Sequence, residues 1–250
     1  SDDLSLAESF GTLMDRAGVA INAMQAAASD DEKLAARNDA ITAIRQALPL
    51  AHDDELSEVN RARYTLTFLL YDGGQLLDAA AVGEFLATWY PNAPGSLQAA
   101  RIAMASWQKL SGSDAAALAT EARIRCGRVA EQILETWPDD PASRDAAAIA
   151  ISAVASSGDP ERILAVVGKI PEQARDADTS LRAGIACWKA VASSPAAASD
   201  ERPTDEDRAR WKQEAATLLE RGLAEQADGR QPSTLVVAAA PARCQIAVSS

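Results

Sequence analysis

Acid–base chemistry is the one reaction class for which this chain carries paired functional groups. Adjacent carboxylates occur at Asp30–Asp31, Asp53–Asp54 and Asp139–Asp140, and two carboxylates flanking a bond suffice for glycoside hydrolysis. Each pair stands at a predicted helix start, where a carboxylate stabilises the helix dipole and caps free N–H groups. Capping is therefore the expected role, and an all-helical, carboxylate-dependent hydrolase is the alternative. The only histidine, His52, sits in "LAHDDE" just ahead of a helix start and reads as a solvated surface residue. With no second histidine and no clustered cysteines, neither a zinc site nor a nucleophile–histidine pair can be assembled. Cys126, Cys187 and Cys244 are far apart, odd in number and set in apolar helical contexts, so they read as small buried hydrophobes. The glycine pairs lack the strand–glycine–helix context and the lysine of a phosphate loop. No catalytic activity, metal or cofactor is expected.

The elements that would position these groups are all helical. Alanine exceeds a fifth of the 250 residues, aromatics reach 4%, and apolar residues recur at helical spacing with no sustained alternation of the strand kind. Eleven helices are predicted. The first runs from Leu4 to Ala28, opened by the capping-box pair Ser5 and Glu8. The second starts at Ser29 with Glu32 at the same spacing and stops at Pro49. The others cover Leu56–Asp72, Gln75–Tyr90, Gly95–Leu110, Asp114–Trp137, Ala142–Ser157, Pro160–Ile170 and Asp178–Ser194. A long helix follows, capped at Thr204, and then a last one from Ser233 that Pro241 is expected to kink or split. The formal charge of −12 and pI near 4.6 oppose a nucleic-acid partner. No apolar run is long enough for a membrane span.

The connections alternate between short Gly or Ser turns, such as "DGG" and "SSGD", and proline-marked turns, such as "YPNAP" and "WPDDP". Each unit is thus a helix, a tight turn, a second helix and a proline stop. Pro49, Pro91, Pro138 and Pro171 are 42, 47 and 33 residues apart, in the range of helical-hairpin repeats. One hairpin cannot bury its own apolar face, so the expectation is a single domain over residues 1–250, an all-α, right-handed solenoid of five hairpins plus an orphan helix. "GG" at Gly73–Gly74 is the turn inside a unit, where a residue tolerating positive φ is needed. Trp89, Trp137 and Ile170 are expected as equivalent plugs between successive hairpins.

At these residues the sequence resembles the tetratricopeptide repeat, in which a turn glycine is followed five residues later by a small residue and seventeen later by proline. Gly74, Ala79 and Pro91 keep both intervals, with Leu66, Leu70, Leu76 and Leu86 at apolar positions. Thr67 replaces the family's small residue before the turn, and Gly83 stands where an aromatic is usual, just short of Phe85. The motif fits this unit, while the rest of the chain matches as helical hairpins; HEAT-type repeats are the runner-up. The resemblance implies a non-catalytic scaffold that binds a peptide or protein on a concave face lined by the first helix of each hairpin. It places Arg61, Tyr64, Phe68 and Tyr71 there, a stripe at i, i+3, i+7 and i+10, with Lys109, Arg182 and Lys189 as looser equivalents. A basic and aromatic inner face in an acidic protein suits a peptide carrying carboxylates. Packing between hairpins is an equal reading of Tyr64 and Phe68, and a purely structural or oligomerisation role is a further alternative.

Two expectations concern the ends of the pattern. The last helix, with Leu235, Val236, Val237, Cys244, Ile246 and Val248, offers no polar outer face of the kind that closes a solenoid. The natural protein is therefore expected to continue past Ser250, and this chain to self-associate through that helix. The segment Ser193–Thr204 is expected to be the most mobile internal loop. The chain begins without Met and without a basic-then-apolar leader, which fits a trimmed or mature form and leaves the compartment undefined.

Overall fold

The computed structural model describes residues 9–193, 203–226 and 234–248. Among these residues the protein is all-α, with eleven helices and no strand: α1 Phe10–Ala26, α2 Asp30–Ala47, α3 Leu56–Asp72, α4 Leu76–Trp89, α5 Ser96–Leu110, α6 Ala116–Thr136, α7 Ala142–Ala155, α8 Pro160–Lys169, α9 Ala177–Ser193, α10 Asp205–Gln226 and α11 Thr234–Val248. They fall into two compact units, Ser1–Ala122 and Arg123–Ser250, and the division lies within α6.

Helix ends follow local chemistry. Ser29 Oγ accepts the Glu32 N–H while the Glu32 carboxylate accepts the Ala28 N–H, and Thr204 and Asp207 cap each other's backbone at the start of α10. The first helix starts later than its sequence suggests. Ser9 is extended and its hydroxyl accepts from Thr12 N–H, which fixes the start at Phe10; Ser5 and Glu8 lie outside the described residues. Pro241 does not split α11, which continues through it. The segment 194–202 lies outside the described residues, and with it most of the expected mobile loop.

In the first unit, α1 pairs with α2 and α3 with α4, while α5 packs against both α3 and α4. The turn between α3 and α4 is the one the glycines demand. Gly74 adopts φ +73°, and the Gln75 N–H reaches back to Leu70 O at 2.8 Å. Gly83 explains the departure from the aromatic position. A Cβ there would lie 2.6 Å from the Ala99 carbonyl oxygen, so its absence lets α5 close on α4. On α4 the buried arc is Ala79, Ala80, Gly83, Leu86 and Ala87. Trp89 lies two residues, about 200° of helix, beyond Ala87. It is therefore not a plug but 69% exposed, whereas Ile170 is buried and Trp137 half-buried.

In the second unit, α7 pairs with α8 and α9 with α10, and α9 also touches α7, α8 and α11. Arg175 closes the C-terminal end of α8 by donating to Val167 O and Ile170 O. Arg221 donates to the Arg175 carbonyl and to Glu172, holding the Glu172 carboxyl below the usual carboxylate range. The last helix rests on α9 and α10 with Ala239 and Ala242 buried and Leu235 and Val236 half-buried. The side chains of Val237, Cys244, Ile246 and Val248 lie outside the described residues.

The two proline-marked turns are copies of one another at an offset of 47 residues. Tyr90, Pro91, Pro94 and Ser96 correspond to Trp137, Pro138, Pro141 and Ser143. Both serines are buried, and each hydroxyl donates to the carbonyl six residues back, Ser96 to Tyr90 O and Ser143 to Trp137 O, both at 2.6 Å. The backbone pattern repeats too: Ala93 N–H to Tyr90 O and Asp140 N–H to Trp137 O. The same offset maps the buried Ala99, Ala100, Ala103, Met104 and Trp107 of α5 onto Ala146, Ala147, Ala150, Ile151 and Val154 of α7. An internal repeat therefore covers a helix end, its turn and the whole following helix.

Candidate functional site

The residues singled out on α3 separate by environment. Arg61 is exposed and Phe68 is 46% exposed. Tyr64 is half-buried, and its ring lies against Gly95, the left-handed residue (φ +86°) that opens α5. A Cβ on Gly95 would meet Tyr64 Cγ at 2.8 Å, so Tyr64 is spent on packing between consecutive helices. Tyr71 is half-buried under Lys109 of α5, whose Nζ stands 4.3 Å from the ring centroid. The structure thus brings Lys109 to the α3 stripe as a cation–π partner. Arg182 and Lys189 are exposed on α9 of the second unit, seven residues apart and so on one face of that helix.

Charge pairing distinguishes these cations. Arg37 binds Asp72, Arg45 binds Asp78, Lys169 binds Glu131 and Glu135, and Arg210 binds Glu161. Arg61, Lys109, Arg182 and Lys189 make no ion pair among the described residues. Residues 1–122 carry 17 acidic and 8 basic side chains, a formal −9 of the total −12. Within so acidic a unit, Arg61 and Lys109 keep their charge available beside Phe68 and Tyr71.

A second cluster has no counterpart in the sequence reading. The Arg63 guanidinium lies 5.0 Å from the Phe85 ring and 5.1 Å from the Tyr90 ring, and the two rings are 5.9 Å apart. Arg63 also donates to the buried Asn60 Oδ1 at 2.8 Å. Arg61 and Arg63 are two positions apart, about 200° of helix, so they point to opposite sides of α3, one to the stripe and the other to α4. The available signal was Phe85 lying two residues past Gly83, which places an aromatic on a new arc of α4.

Asp30 and Asp31 stand in the first turn of α2 and Asp53 and Asp54 in the short helical turn ahead of α3, while the third pair makes side-chain contacts. Asp140 Oδ1 accepts the Ala142 N–H at 2.8 Å, and Asp139 Oδ1 accepts from the Gln173 amide at 2.9 Å. They line an open cleft of about 350 Å³ with Pro141, Arg144 and Ala174 in the second unit. His52 is exposed and its backbone N–H donates to Glu55 Oε2 at 2.7 Å, a local cap. The buried Cys126 thiol is pushed up to about 11 by burial, and Cys187 to about 12 by burial and then by Glu214 and Glu161. Both are shifted away from the thiolate that a nucleophile requires. Among the described residues no group of three or more His, Cys, Asp or Glu side chains is placed to hold a metal ion, and no helix is long and apolar enough to cross a membrane.

These features define an all-α protein built of antiparallel helical hairpins with a basic, aromatic stripe on α3 and α5. No protein-family model matches the chain, and no curated protein matches its sequence.

Proposed function

We propose that this protein is a non-catalytic binding scaffold of tetratricopeptide-like hairpins that takes an acidic peptide or protein segment along the face shared by α3 and α5. The observation that carries this reading is Lys109 over Tyr71, which joins two helices into one surface whose cations, Arg61 and Lys109, have no carboxylate partner among the described residues. Carboxylates of a bound segment would supply the missing charge-assisted hydrogen bonds, and the exposed Phe68 ring would take an apolar side chain between them. The packing of α5 on both helices of the preceding hairpin is the arrangement that lets successive first helices line one face. On α9 of the second unit, Arg182 and Lys189 are likewise exposed with no ion pair among the described residues.

The test is fluorescence anisotropy with a labelled twelve-residue peptide of alternating Glu and Leu. The wild-type chain should bind it with strong salt dependence, and the double change Arg61→Glu with Lys109→Glu should weaken binding at least tenfold. Equal binding by the wild type and the charge-reversed variant removes this reading.

A further inference from the structure

Beyond the α3–α5 stripe, α4 turns a face to solvent that carries almost no charge. Leu77, Ala81, Phe85 and Trp89 follow one another at intervals of four and are all exposed, Leu77 by 53%, Phe85 by 40% and Trp89 by 69%. Residues at i±4n form a ridge of the kind that packs into the groove of another helix. Spacing of twelve residues makes this ridge about 18 Å long, enough for a helix of three turns. Large apolar side chains kept together in water mark an interaction surface far more often than isolated ones do.

Charge selects the occupant. At one end of the ridge Asp78 is already neutralised by Arg45. At the other end Arg63 stacks on Phe85 and Tyr90, with Asn60 as its only side-chain hydrogen-bond acceptor and no carboxylate within ion-pair distance among the described residues. The patch thus offers an apolar ridge that ends in one unneutralised guanidinium, fixed in orientation by two rings. A second copy of the chain fits this poorly. Its own ridge brings no carboxylate for Arg63, and it sets one formal −9 unit against another. We propose that the outward face of α4 is the docking site for an amphipathic helix of a partner protein, with apolar residues on the Leu77–Trp89 ridge and an Asp or Glu at the edge that meets Arg63. The recognition is helix against helix with a charge-assisted, planar Arg–carboxylate contact at one end. This site stands on the opposite side of α3 from the Arg61 stripe and does not depend on it.

The experiment is calorimetric titration of the full chain, at physiological salt, with a synthetic fourteen-residue helix bearing Leu on one face and Glu on its edges, against a matched peptide with Lys in place of Glu. The Leu/Glu helix should bind. Trp89→Ser, a change at an exposed side chain that leaves the melting temperature in place, should weaken it about thirtyfold, because Trp89 is the largest and most exposed ring of the ridge. Arg63→Gln should weaken it about tenfold and abolish the preference for Glu over Lys, while the Arg61→Glu, Lys109→Glu variant should bind the Leu/Glu helix as the wild type does. The proposal is overturned by failure to bind at millimolar peptide, or by binding that Trp89→Ser leaves unchanged. It is also overturned by a ridge that prefers the Lys peptide, or by a sedimentation profile in which the wild type dimerises and Trp89→Ser does not.

Discussion

Replacing Gly83 by alanine tests the helix contact on which the α3–α5 surface rests. In a helix interior, alanine is favoured over glycine by about 0.8–1.0 kcal/mol. Gly18 on α1 measures that gain alone, because a Cβ there meets nothing within 4 Å. At Gly83 the new Cβ would lie 2.6 Å from the Ala99 carbonyl oxygen, 3.0 Å from Thr67 Cγ2 and 3.2 Å from Ala103 Cβ. A carbon–oxygen contact relaxes near about 3.3 Å, so α5 must retreat by roughly 0.7 Å. The obstacle is backbone and cannot rotate away. Overpacking of this kind costs about 1–3 kcal/mol, and the upper part of that range applies here. Net of propensity, Gly83→Ala should destabilise by about 1–2 kcal/mol while Gly18→Ala stabilises by about 1. At roughly 2–4 °C per kcal/mol, far-ultraviolet circular dichroism should show melting temperatures moving in opposite directions, down by about 2–8 °C and up by about 2–4 °C. The retreat of α5 also carries Lys109 away from Tyr71, so acidic-peptide binding should weaken in Gly83→Ala alone. Equal stabilisation by both changes would refute the close α4–α5 contact and the surface built on it.

Ser96→Ala and Ser143→Ala should each cost about 1 kcal/mol in urea unfolding, because each removes one buried hydrogen bond from a carbonyl that keeps another donor; unequal costs would mean that the two turns are not equivalent. A double-mutant cycle of Tyr71→Leu with Lys109→Met should return a coupling of about 0.5–1 kcal/mol, and zero coupling would detach Lys109 from the stripe. Cys126 and Cys187 titrate higher when folded than when unfolded. The unfolded chain therefore releases these protons first, and stability should fall as pH rises above about 9 towards the folded values. In the folded protein at pH 8 both thiols should resist alkylation, and rapid labelling of either without unfolding would contradict its burial.

What the sequence made legible is what local chemistry decides. Proline stops, the Gly74 turn and the caps at Ser29 and Thr204 are set by residues within one turn of the chain, and the observed bounds of α3 coincide with the reading because Leu56 and Asp72 sit between such signals. Even a local signal does not by itself fix where a helix begins. The sequence reading opens the first helix at Ser5 with Glu8, yet Ser9 is extended and caps Thr12, a start set by geometry that no spacing reveals. The 47-residue repeat shows as Pro91 and Pro138, yet its stronger mark, the hydroxyl of Ser96 and of Ser143 on the preceding turn, becomes visible only as hydrogen bonds.

The candidate surfaces were least legible, for a related reason. Periodicity tells which residues share a face of a helix, but which face closes depends on how near the next helix comes. Gly83 and Gly95 set that distance, and neither signals it by spacing. Their absent side chains bring α5 against α4 and seat Tyr64 over the start of α5. One stripe on α3 is thereby divided into a packed residue, a half-covered Tyr71 and the open Arg61 and Phe68. The same closure turns Trp89 outward, because the arc of α4 that meets α5 is the one built from alanine and glycine. Small residues decide this contact, and Trp89, which the sequence pattern reads as a plug, is left to face solvent while Leu86 stays buried.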